Sequence, residues 1–297
     1  MKNANILVPI DFSELSYKAF EVASVFAELF DGAITPFHSY LSLGDIDDPE
    51  HPASDTFSDA HEELAKRLML KLDSESARHA EPSALNRGII HVGNPSDAII
   101  ETAHHFDLIV MTSHGRTGVS RLIMGSVAEK VIRFAPVPVV VAGESSELKP
   151  LKRILLTTDF SDYSLKAVPF ARSIATASGA NLDIIHILSR EPLGSASKIQ
   201  NIIESREEQM QKLVADRFDG MTGNVRTQVL TTKRSIHEKI TRISEETDYN
   251  LIVMATIGRT GLDYLRLGST ASNVVRHVKP AVFTVNPRRL KGAQKTH

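Results

Sequence analysis

"MTSHGRTGVSRLIMGSVAEKV" (111–131) decides how this chain folds. The run "DLIVM" (107–111) leads into it and reads as a strand rich in branched apolar residues. Gly115 follows, then nine residues, then Gly125, Ser126 and a helical pattern over 126–134. A glycine at a strand end takes backbone angles closed to a β-carbon and lets a ligand lie against the chain. Ser126 with Glu129 three residues on has the form of a capping box, which makes Ser126 the expected N-cap. The unpaired N–H groups and the dipole of such a helix start attract an anion, and Gly125 would let a phosphate come close. A loop curled over its own helix start makes an N–H-lined hollow, suited to a di- or triphosphate.

The stretch is written twice. Residues 254–274 read "MATIGRTGLDYLRLGSTASNV", and between 114–133 and 257–276 ten of twenty positions are identical without a gap. "NILVPIDFSELS" (5–16) matches "RILLTTDFSDYS" (153–164), and "FDLIVMTSHGRTG" (106–118) matches "YNLIVMATIGRTG" (249–261). A domain-sized period means a tandem duplication of folded units rather than a solenoid. The seam falls in "GESSELKPLK" (143–152), which gives an expected division into 1–146 and 147–297.

Each unit alternates short apolar runs with longer amphipathic ones. Strands are expected at 5–10, 33–39, 87–92, 107–111 and 138–142, with helices at 14–29, 57–80, 95–105 and 126–134. In the second unit the strands fall at 153–158, 181–187, 225–231, 250–254 and 281–285. Strands apolar on both faces, joined by helix-length connections, imply an α/β fold. The expectation is two tandem doubly wound domains, each a five-stranded parallel sheet flanked by helices. Ligands of such sheets sit beyond the carboxyl ends of the strands. The last strands, "PVPVVVA" (136–142) and "PAVFTV" (280–285), are candidate edges, and pairing them across a pseudo-twofold axis would join the units.

Other features set bounds. A formal charge of −2 argues against a nucleic-acid binder. The absence of cysteine excludes disulfides and thiolate sites and fits a reducing compartment. The first residues have no signal-peptide pattern and no apolar run is long enough to span a membrane, so the cytoplasm is the expected location. The basic "NPRRLKGAQKTH" reads as a solvated tail. No G-x-x-x-x-G-K-[ST] occurs, nor G-x-G-x-x-G after a first strand, which excludes a Walker loop and ordinary dinucleotide binding. His104 and His105 are adjacent and point apart; His38 and His186, ending the second strands, read as packing or hydrogen-bonding residues.

Asp11 and its twin Asp159 end the first strands. At the switch point Asp11 would face the glycine loop, where ribose hydroxyls, base nitrogens or a cation suit a carboxylate. The competing reading is that Asp11 orders the turn into the helix beginning near Ser13.

An Asp at the first strand end, then x-x-Gly-(nine)-Gly-Ser after the fourth, resembles the universal stress protein family, whose nucleotide-binding branch carries G-x2-G-x9-G-[ST]. The resemblance covers essentially the whole chain as two tandem domains. It implies a five-stranded fold of the adenine nucleotide alpha hydrolase-like kind, ATP or a related adenine nucleotide in the crevice, and a regulatory role in stress. A Mg²⁺ ion carried in by ATP needs few protein ligands. On this pattern Asp11 holds the ribose or adenine, and Gly115, Gly125 and Ser126, with Val127 beside them, hold the phosphates. Asp159, Gly258, Gly268, Ser269 and Thr270 repeat the set. Arg116 and Arg259, within the repeated "GRTG", are either phosphate contacts or solvated loop residues.

Both units depart from the pattern. Thr112 and Ala255 stand where it has its first glycine; Thr112 is the larger intrusion, though its hydroxyl could donate to a phosphate, and outside the glycine loop the first unit fits better. His114 becomes Ile257, and Pro9 becomes Thr157. "HVGNPSD" (91–97), with Asn94 as expected N-cap and Pro95 in the first helical turn, becomes "LTTKRSI". The first unit is therefore the preferred site. No general base or activated nucleophile is evident, so any ATP hydrolysis should be slow. The expected function is an ATP-binding sensor or switch. The alternatives are a protein-interaction scaffold that binds no nucleotide and an enzyme transferring adenylyl or phosphoryl groups. Expected assembly is an intramolecular pseudo-dimer, with a homodimer left open.

Overall fold

The computed structural model describes residues 2–41, 55–113, 124–190, 196–221, 223–258 and 267–290. The first unit runs β1 (Asn5–Pro9), α1 (Glu14–Phe30), β2 (Ala33–Tyr40), α2 (Asp55–His79), β3 (Ile89–Val92), α3 (Pro95–Thr102), β4 (Leu108–Thr112), α4 (Ser126–Phe134) and β5 (Val139–Ala142). The second runs β6 (Arg153–Thr157), α5 (Val168–Ser178), β7 (Asn181–Ser189), α6 (Ala196–Arg217), β8 (Val225–Thr232), α7 (Ile236–Glu246), β9 (Leu251–Ala255), α8 (Ser269–His277) and β10 (Ala281–Val285). The strands stand where the apolar runs predict them, to within about two residues at each end.

All ten strands form one sheet in the order β3-β2-β1-β4-β5-β10-β9-β6-β7-β8. Every neighbouring pair is parallel except β5 with β10, which is antiparallel, with Val140 opposite Phe283. Within each unit the order reverses between the first and fourth strands, which opens a crevice at their carboxyl ends.

Alternation along the strands splits the core in two. Ile6, Val8, Leu108 and Val110 pack on one face with α1 and α5; Leu7, Ile109 and Met111 pack on the other with α3 and α4. Both faces are covered over the inner strands β1, β4, β5, β9 and β10, which are almost continuously apolar, whereas the edge strand β8 is polar and partly exposed. Polar side chains finish the join between units. Thr284 Oγ1 donates to the Val139 carbonyl (2.9 Å), Asn286 Nδ2 to the Arg133 carbonyl (2.6 Å), and Ser146 Oγ to the Lys279 carbonyl (2.9 Å) while accepting from Gly143 N–H. Phe283 meets Phe26 from α1 and Phe170 from α5.

The units differ at their first helices. α1 starts directly after Ser13, whose hydroxyl accepts from Ser16 N–H. In the second unit Ser164–Ala167 forms a 3-10 turn before α5 begins. Pro169 explains the delay: lacking an N–H, it cannot continue a helix begun upstream, but it fits the first turn of a new one. No helix among the described residues is long and apolar enough to cross a membrane.

Candidate functional site

The crevice of the first unit is built from the ends of β1, β2 and β4 and the start of α4. Beyond β1 the chain turns sharply because Phe12 adopts a left-handed conformation (φ 63°), which is uncommon for a bulky residue. Asp11 Oδ1 accepts from Ser13 N–H (3.0 Å) and from Ser13 Oγ (2.6 Å). The turn-ordering role of Asp11 is therefore present, and it fixes the carboxylate at the crevice. His38 Nδ1 lies 2.8 Å from the Ile10 carbonyl. A carbonyl only accepts, so Nδ1 carries the proton and the ring is held against Phe12, 4.4 Å away between centroids. Tyr17, one helical turn into α1, has its phenol pKa raised, first by burial and then by the carboxylates of Glu75, Glu14 and Asp11, so it stays neutral beside the turn.

On the opposite wall, Thr112 and Ser113 end β4 and are 6% and 5% exposed. The Ser113 carbonyl accepts from Gly125 N–H (2.8 Å), which ties the start of α4 to the end of β4. The capping box expected at Ser126 does not form. Gly125 is the N-cap, extended at ψ 145°, and Ser126 is already the first helical residue. Glu129 N–H bonds instead to the Gly125 carbonyl, and its carboxylate faces Arg276 across the units (3.5 Å). Among the described residues no side chain caps α4. Its first amides, without intrahelical acceptors, make a stronger anion cradle than a serine-capped helix would.

These elements enclose a cavity of about 330 Å³. Pro9, Asp11, Thr112, Gly125, Ser126 and Val127, all named from the sequence, line it. So do Pro95, of the G-x-P turn that the resemblance sets near the nucleotide, and His38, Ser39, Ser113 and Ile99, which sequence motifs did not single out as contacts. Parallel register gives the missing signal: Pro9 pairs with Phe37, which brings the residues just after Phe37 level with Asp11. Asn94 caps α3 as expected, accepting from Ser96 N–H and orienting Pro95 at the rim.

The second unit repeats the turn. Phe160 is left-handed (φ 60°), Asp159 Oδ1 accepts from Ser161 N–H (2.9 Å) and Oγ (2.5 Å), and His186 Nδ1 donates to the Thr158 carbonyl (2.8 Å). Gly268 N–H donates to the Thr256 carbonyl (2.9 Å) and caps α8, with Ser269 and Thr270 in its first turn. The glycines here have a packing cause. A β-carbon at Gly268 would stand 2.6 Å from the Thr256 carbonyl oxygen, and one at Gly258 2.5 Å from Asp159 Oδ2. In the second unit the chain's own close approach is reason enough for both glycines. Ala255 ends β9 half-buried where the first unit has buried Thr112.

The sequence model of the universal stress protein family matches residues 2–143 and again 150–286. The chain belongs to the universal stress protein family. A universal stress protein from Mycolicibacterium smegmatis is 25% identical over 299 residues, covering 95% of this chain and 97% of that one. Universal stress protein MJ0577 of Methanocaldococcus jannaschii is 30% identical over 155 residues, spanning 46% of this chain and 92% of its own. A crystal structure of a universal stress protein from Archaeoglobus fulgidus superposes with a TM-score of 0.68 at 23% identity, covering 96% of this chain and 99% of that one, and so shares the fold.

Of the residues expected at the two sites of this universal stress protein, His114, Gly115, Arg116 and Arg259 lie outside the described residues. The others stand at the carboxyl ends of the first and fourth strands of their units or at the starts of α4 and α8. Thr112, which departs from the glycine pattern, is part of the cavity wall and contributes its surface there.

Proposed function

We propose that the first unit, residues 1–146, binds an adenine nucleotide in the crevice between β1 and β4, and that the protein acts as a nucleotide-dependent sensor in a stress response. The observation that carries this reading is the juxtaposition of an uncapped helix start with a carboxylate in one cavity. The amides of Ser126 and Val127 suit phosphate oxygens, while Asp11, repelled by phosphate, suits ribose hydroxyls at the far side. Thr112 and Ser113 add hydroxyls to the anion end. ATP, with or without Mg²⁺, is the ligand class that has both chemistries. The second unit, 147–297, where Thr157 and Ile236 stand in place of Pro9 and Pro95, serves mainly as a partner: the two units act as an intramolecular pseudo-dimer. The chain is assigned to the cytoplasm.

The sequence offers no general base paired with an activated nucleophile, and on this reading turnover of bound ATP is slow on the scale of ordinary enzymes.

Native mass spectrometry of freshly purified protein, followed by calorimetric titration with Mg-ATP, tests the reading. One nucleotide per chain, with heat on titration after stripping, supports it. A chain that carries no nucleotide and gives no heat is a protein-interaction scaffold instead. Rapid multiple turnover makes it an enzyme and overturns the sensor role.

A further inference from the structure

The helices on the outer face of the second unit carry two histidines that the nucleotide reading does not use. We propose that His237, in the first turn of α7, and His277, the last residue of α8, form a two-imidazole site for a divalent transition ion of the zinc, nickel or copper class. Their rings lie 6.2 Å apart between centroids and are near parallel, at 28°. His277 Nδ1 is 2.7 Å from the Asn273 carbonyl. That carbonyl can only accept, so Nδ1 holds the proton and Nε2 keeps its lone pair. A metal-ligating histidine has this arrangement, one ring nitrogen fixed by a backbone carbonyl and the other free to coordinate. His237 is held by little: Nε2 lies 3.5 Å from Ser235 Oγ, at the limit of a hydrogen bond. Its ring can turn a nitrogen toward its neighbour at small cost.

The reach is adequate. Zinc–nitrogen bonds of 2.0–2.1 Å in a tetrahedron bring two imidazole centroids to about 5 Å. Closing by roughly 1 Å from the observed separation needs only side-chain rotation of exposed His277 and half-buried His237. Carbonyls of the last turn of α8 favour a cation at His277, whereas the first turn of α7 opposes one at His237; coordination by two nitrogens outweighs that difference. Among the described residues no group of three or more metal-ligating side chains converges. Water therefore completes the coordination, and the site is open. Imidazole pairs select zinc, nickel and copper over magnesium or calcium.

The equivalent helices of the first unit are tied differently. There Lys130 Nζ on α4 meets Asp97 Oδ1 on α3 at 2.7 Å. Counted from the helix caps, Glu238 and Asn273 stand at those positions in the second unit. Asn273 Nδ2 turns instead to the Ser269 carbonyl of its own helix. A bound ion would thus join α7 to α8 where an ion pair joins α3 to α4.

The test is calorimetric titration of the full chain, free of any histidine tag and stripped with chelator, with zinc chloride alone. The expected result is one ion per chain. Binding should weaken at least tenfold in His237→Ala and in His277→Ala separately, with unfolding midpoints of the metal-free variants unchanged. Zinc should raise the unfolding midpoint of the parent, because it binds only the folded chain, and should leave that of either variant where it was. Zinc binding equal in parent and both variants overturns the assignment, as does a parent that gives no heat.

Discussion

At the end of β1, Asp11 accepts from Ser13 and His38 donates to the Ile10 carbonyl; at the end of β6, Asp159 and His186 make the same bonds to Ser161 and Thr158. Phe12 and Phe160 share the same left-handed backbone. The walls facing these turns differ. In the first unit Thr112, Ser113, Pro95 and the start of α4 stand back from Asp11 around a cavity. In the second, Ile236 takes the place of Pro95 and half-buried Ala255 that of Thr112. The turn is thus a part of the fold, repeated whatever it faces. Capacity for a ligand rests on the residues opposite it, where the two copies diverge.

Three substitutions would break or sharpen this contrast. Gly268→Val should have the largest effect. Its side chain would enter the Thr256 carbonyl, at a cost of about 2–4 kcal/mol, read as a lower urea midpoint with the ATP titration unchanged. Normal stability would show that the second loop has room after all. Next, Asp11→Asn keeps an acceptor for Ser13 but removes the charge and one oxygen. Loss of a hydrogen bond to a charged group, about 1.5–3 kcal/mol, weakens nucleotide binding by about tenfold or more. Asp159→Asn should leave the affinity unaltered; equal losses would mean that both crevices bind.

The smallest effect concerns a pair outside the crevices. Tyr249 donates to Asp183 Oδ2 (2.7 Å), which also accepts from Arg153 (3.0 Å), whereas the first unit has Phe106 at the matching place. Burial first, then the bond to Asp183, pushes the Tyr249 phenol above its usual range. The unfolded chain loses this proton at about pH 10, earlier than the folded chain does. Stability from this group is complete below that pH and declines as pH rises above it. Tyr249→Phe should cost about 1–2 kcal/mol at neutral pH and make the alkaline decline shallower. An unchanged alkaline slope in chemical denaturation between pH 9 and 11 would refute the assignment.

Much of the fold is legible in the sequence because both faces of the sheet are covered. The inner strands are short apolar runs bounded by polar residues, and the repeat fixes which runs correspond, including the polar edge strand β8. The candidate site is legible where motif and strand end coincide, as at Asp11, Thr112 and Gly125. It is not legible where geometry depends on a distant partner. Ser126 and Glu129 have capping-box spacing, yet Gly125 takes the cap because its N–H is already committed to Ser113 in an extended conformation. The spacing rule cannot separate the cap from the first helical residue. Phe12 and Phe160 carry no mark of a left-handed turn, since phenylalanine has no preference for one. Gly258 and Gly268 look like ligand glycines, and only the positions of Asp159 and Thr256 reveal steric crowding.

The antiparallel ladder between β5 and β10 has a geometric result for traffic around the molecule. Parallel strands in each half all end on one side, and reversing the sense at the ladder sends those sides to opposite poles. The rungs joining Val139 to Thr284, the aromatic contacts of Phe283 with α1 and α5, and the bonds of Asn286, Ser146 and Arg276 across the ladder are the physical links between those poles among the described residues.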